Sequence, residues 1–162
     1  MSDDLEFFRA PSAAAVLTTL GGGTALPTFD GLRADLTEPV DVLLLMEELV
    51  AAEPDSSLIT GLVWPEIDMA AYGCFLSNAP HFGEPWTYGI TPTVRDALAA
   101  ASPAELAALR PYEDVEPTAA ALEQLDALAE LARRAVAAGD SLYYRTAGHL
   151  TCPQAGLPTE TA

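Results

Sequence analysis

An α+β fold, with a small mixed or antiparallel sheet packed against about five helices, follows from three observations on this 162-residue chain. Five prolines (Pro11, Pro39, Pro92, Pro103 and Pro117) each precede a run rich in Ala, Leu or Val, and proline suits a first helical turn because its missing N–H has no partner there. Short β-branched and aromatic runs lie between those helices without the regular strand-helix alternation of a doubly wound parallel sheet. Half of the residues are apolar and 19% are charged, which is the make-up of a chain able to bury a core. The length suits one domain, placed at 1–150, with a frayed tail at 151–162.

Taken in order, "LEFFR" is a candidate first strand. A short helix from Ser12 to Leu20 follows, and Gly21, Gly22 and Gly23 end it. A loop comes next. From Pro39 to about Ala52 the apolar positions Val42, Leu43, Met46, Leu49 and Val50 recur at helical spacing, which leaves Glu47 and Glu48 in water, and Pro54 stops the run. "SSLITGLVW" and "IDMAAYGCFL" read as two strands separated by Pro65 and Glu66, and "WTYGI" as a short fourth. In "SPAEL", Ser102 caps, Pro103 takes the first helical position and Glu105 completes a capping box.

The longest apolar stripe is Leu122, Leu125, Leu128, Ala129, Ala132, Ala135 and Val136. Its early acids and its late Arg133 and Arg134 complement the helix dipole, and Glu130 with Arg134 is an i,i+4 pair worth about 0.2 to 0.5 kcal/mol. Gly139 is the natural stop, and "SLYYRT" from Ser141 to Thr146 is a strand beside that helix.

Charge excludes several functions. The chain has no lysine, and seven arginines stand against twenty-four carboxylates, for a net charge of −17 and a pI near 4.1. Schiff-base chemistry, pyridoxal-phosphate attachment and the phosphate-loop lysine all need an amine on a flexible stem. Binding to nucleic acid runs on clustered cations displacing counterions, so repulsion is expected there. Histidine and cysteine number two each, without the close pairs of a zinc site, and His149 with Cys152 supply half a site at best. "LGGGT" follows a helix and is a cap before it is a phosphate cradle, so no cofactor is expected. An acidic amino terminus and the absence of a long apolar run predict a cytoplasmic protein with no membrane span, its two cysteines free thiols.

One segment concentrates side chains suited to a site. Between Trp64 and Tyr88 lie both tryptophans, Cys74 and His81. Trp64, Tyr72, His81, Trp86 and Tyr88 are the candidate ligand contacts, since Trp and Tyr offer rigid area with one hydrogen-bonding tip each. On that reading, alanine at Trp86 and Tyr88 weakens binding and leaves folding intact. The alternative is an enzyme with Cys74 as nucleophile, His81 as base and Asp68 or Glu84 orienting the histidine. Against it, free cysteine is among the most buried residue types, and nothing in the seven-residue spacing brings the pair together.

The expected function is therefore binding, of a protein partner or of a small molecule near 64–88. An acidic inhibitor or immunity-type protein covering a basic active site is a further reading. An anion site would have to come from Arg9, Arg33 and Arg145, the arginines outside predicted helices.

The stretch from "WTYGITPTVRDALAAASPAELAALRPYEDVEP" through "LDALAELARRAVAAGDSLYY" resembles the carboxyl half of the YfbM-like family of small bacterial proteins. The matching residues are Tyr88, Thr91 and Pro92 at a helix start, then Ala138, Gly139 and Asp140 before a final strand. The resemblance implies an α+β fold and carries over no catalytic residue.

Overall fold

A computed structural model describes residues 4–20, 28–35, 42–64 and 86–146. Their elements are β1 (Asp4–Ala10), α1 (Ala13–Leu20), β2 (Gly31–Asp35), α2 (Val42–Leu49), β3 (Ile59–Trp64), β4 (Thr87–Ile90), α3 (Pro92–Ala100), α4 (Pro103–Ala107), α5 (Ala119–Ala138) and β5 (Ser141–Thr146). The strands form one antiparallel sheet in the order β2-β1-β5-β4-β3. The fold is α+β.

Period-two alternation gives the sheet two faces with different tasks. On one, Leu5 and Phe7 of β1, Ala34 of β2, Tyr88 and Ile90 of β4, and Leu142 and Tyr144 of β5 meet a helical layer. That layer contributes Val42, Leu45 and Met46 from α2, Val94 and Leu98 from α3, Leu106 from α4, and Leu125, Leu128 and Leu131 from α5. Four buried alanines of α5, Ala121, Ala129, Ala132 and Ala135, let its backbone come close to its neighbours. The opposite face carries a smaller cluster, in which Phe8, Ala10 and Tyr143 pack with Val16 of α1 and with Phe29 and Val63. Phe8 stacks on both Phe29 and Tyr143, with ring centroids 5.4 and 5.5 Å apart.

The helix ends follow local chemistry. Ser102 and Glu105 close the capping box in both directions. Thr91 caps α3 through Val94 N–H while its own hydroxyl donates to Ser57 C=O at 2.8 Å, so the cap also ties α3 to the segment before β3. Gly139 ends α5 at φ 74°, the left-handed conformation in which a Cβ is strained.

Several expectations change. Pro92 and Pro103 occupy the first helical turn, but Pro11 and Pro117 precede the capping residues Ser12 and Thr118, so they fix the approach to a helix and not its first turn. β2 was expected as loop. Its residues have little strand propensity, and it forms because β1 offers a partner edge, pairing Phe8 with Gly31 through Asp4 with Asp35. Val136, assigned to the apolar stripe, is exposed, while its neighbour Ala135 takes the buried position in that turn of α5. The second predicted central strand, "IDMAAYGCFL", the helix stop at 21–23 and the tail lie outside the described residues. No helix among the described residues is long and apolar enough to cross a membrane.

Candidate functional site

All seven arginines are described, and each contacts this chain's own oxygens. Arg9 Nη1 donates to Asp140 at 2.6 Å and its Nε to Asp30 at 2.8 Å. Arg134 reaches the same Asp30 through Nε and Nη2, at 2.8 and 3.1 Å. Arg95 donates to the backbone carbonyl of Asp140 and to Asp96. Arg133 covers the carbonyls of Ala99, in the last turn of α3, and of Ala101, just past its end, and also bonds Glu130. Arg110 holds the carbonyls of Ala107 and Leu109 and reaches Glu116 at 3.4 Å.

Two consequences follow for the expected pairings. Glu130 pairs with Arg133 at i,i+3, and Arg134 turns away to Asp30, because a bidentate carboxylate on the neighbouring turn outbids a solvated helix-face pair. The three arginines outside helices do not converge. Arg9 points to the helical side, whereas Arg33 and Arg145 flank Glu6 on the other face, at 3.4 and 3.7 Å.

Cross-strand register extends that second face into a polar row: Arg33, Glu6, Arg145 and Thr87 on β2, β1, β5 and β4. Glu6, Arg145 and Thr87 are buried. Burial pushes the Arg145 guanidinium down from its ordinary value, and Glu6 opposes the change. The Thr87 hydroxyl is 0% exposed and has no hydrogen-bond partner among the described residues.

Of the sequence-selected contacts, Trp64 is half-buried at the end of β3. Trp86 at 5% and Tyr88 at 8% exposure belong to the core beneath the helical layer, where Tyr88 stacks on Tyr144 with centroids 5.1 Å apart. Their rings pack in the core and not on an open face, so alanine at either position is expected to cost stability as well as any binding. Burial pushes both tyrosine hydroxyls up, Tyr144 to about 12 with Glu47 adding to it. Tyr72, His81, Cys74, Asp68, Glu84, His149 and Cys152 lie outside the described residues. No group of three or more His, Cys, Asp and Glu poised to hold a metal occurs among the described residues.

A feature that the motif reading passed over lies between α4 and α5. Tyr112 and Val115 pair across a tight turn closed by Val115 N–H to Tyr112 C=O at 3.3 Å. Both side chains face water, at 50% and 38% exposure, with Glu113 and Asp114 between them. Arg110 and Glu116 bridge the base, and Pro111 and Pro117 fix the backbone on either side. The signal was present as "RPYEDVEP", two prolines bracketing an aromatic and acidic turn.

Fold and surface together define a small α+β protein with an acidic exterior: among the described side chains, only Glu6 and Asp140 are buried carboxylates. No family model, curated protein or solved structure matches the chain.

Proposed function

We propose that this chain is an interaction protein whose acidic surface engages a protein partner carrying a basic face. The observation that carries the reading is the engagement of every arginine with the chain's own carboxylates and carbonyls. The exposed acids Glu47 and Glu48 of α2, Glu113 and Asp114 of the turn, and Glu123 and Asp126 on α5 are left as an unbalanced field. Glu113, Asp114, Glu123 and Asp126 make no ion pair among the described residues. Such a field speeds encounter with a basic partner and repels nucleic acid and acidic proteins.

A small-molecule ligand near 64–88 has less support, because Trp86 and Tyr88 are core residues with little ring area to offer. The inhibitor or immunity-type reading is a special case of the proposal, in which the basic face surrounds an active site.

Cross-linking in the native host, followed by purification at low and at high salt, tests the reading. A one-to-one complex with a basic protein, kept at low salt and lost at high salt, is expected. Recovery of the uncomplexed chain under both conditions contradicts it.

A further inference from the structure

Resting on the acidic-surface reading, we infer that the Tyr112–Val115 turn is the docking point, and that its occupant is an arginine-bearing segment of the partner protein. Among the described residues three large apolar side chains are exposed, and two of them, Tyr112 and Val115, sit side by side here. Tyrosine is enriched at the centres of interfaces because it brings rigid area at small entropic cost.

The turn is held in shape by more than its own hydrogen bond. Prolines precede and follow it, and Arg110 fastens its base both to Glu116 and to the carbonyls ending α4. A rigid loop that keeps an aromatic ring in water has already met the ordering cost that a flexible one meets on binding.

The chemistry of the tip selects the occupant. A guanidinium stacks on a tyrosine face more readily than an ammonium does, and its planar fork donates to carboxylates at the same time. Glu113 and Asp114, both exposed and next to the ring in sequence, are the acceptors. Arg110 does not compete for them, since its donors go to Ala107, Leu109 and Glu116. Arginine is thus preferred over lysine, and an aliphatic neighbour of that arginine would lie on Val115.

The test is a titration of the full-length chain with an oligo-arginine peptide, followed by amide chemical shifts, with an oligo-lysine peptide of equal length as comparison. The expected result is a set of shifts centred on residues 110–117 and tighter binding of the arginine peptide. Tyr112→Ala should weaken binding about tenfold without changing the thermal midpoint, and Glu113→Gln with Asp114→Asn should flatten its salt dependence. Binding with shifts centred elsewhere, insensitive to these substitutions, overturns the docking point and leaves the acidic-surface reading standing. No binding at low salt overturns both.

Discussion

Arg9 Nη1 donates to Asp140 Oδ2 at 2.6 Å across 131 residues of sequence, joining the end of the first strand to the turn before the last. Asp30 extends this bond into a chain of charges, because it accepts from both Arg9 and Arg134. The network ties β1, the turn before β2, the end of α5 and the start of β5 at one corner of the sheet. Asp140 is buried, so its bond to Arg9 is less screened than the pairs of Asp30. Asp140→Ala should cost about 1.5–3 kcal/mol in denaturant unfolding, the range for a hydrogen bond to a charged group. A cost near zero would mean that the corner holds without it.

Acid stability should depend on Asp30. The bonds from Arg134 and then Arg9 hold its carboxyl below the ordinary value of 3.8. The fold favours the ionised form, so this stabilisation is complete above that value and is lost as pH falls through the lower folded-state value. Asp30 and Arg134 are both more than a third exposed, so Asp30→Asn should cost only about 0.2–1 kcal/mol at neutral pH. The gap between wild type and variant, followed by denaturant unfolding at several pH values, should close in acid; a gap that widens there contradicts the sign.

At the alkaline end the buried tyrosine pair should dominate. Burial raises Tyr88 and Tyr144, so the fold favours their neutral forms. Their contribution is complete below the ordinary value near 10.0 and is lost as pH rises through about 12, where Tyr144 ionises. Absorbance titration should show a late tyrosinate step that Tyr144→Phe reduces. A single step for all tyrosines near their ordinary value would place both rings in water.

Trp86→Ala should cost about 3–5 kcal/mol, the usual range for removing a buried aromatic side chain. Equilibrium unfolding gives this number directly. A loss below about 1 kcal/mol would return Trp86 to the surface and to the list of ligand contacts.

Thr87→Val should raise stability by about 1 kcal/mol, because the isosteric methyl replaces a buried hydroxyl without a partner among the described residues. A loss of similar size would show that the hydroxyl is bonded.

Much of the fold was legible because its signals are local. The capping box at Ser102, the glycine stop at Gly139 and the aromatic alternation of 141–146 each need only neighbours in sequence. β2 escaped because "GLRAD" becomes a strand only beside β1, and its sole local sign is the inward pair Leu32 and Ala34. The arginine pairings escaped for the same reason: Arg134 meets Asp30 from 104 residues away, and spacing along a helix cannot anticipate that. Among the candidate contacts, residue type alone left Trp86 and Tyr88 open to either pocket or core, since an amphipathic aromatic serves both. The register of β4 against β5 is what turns Tyr88 inward, onto Tyr144.

The association rate with the cross-linked partner, measured by stopped flow over a range of ionic strength, tests most directly whether the acidic surface guides binding. A steep fall in rate with added salt, and a dissociation rate that changes little, are predicted. An association rate that does not respond to salt would contradict the acidic surface as the means of recognition.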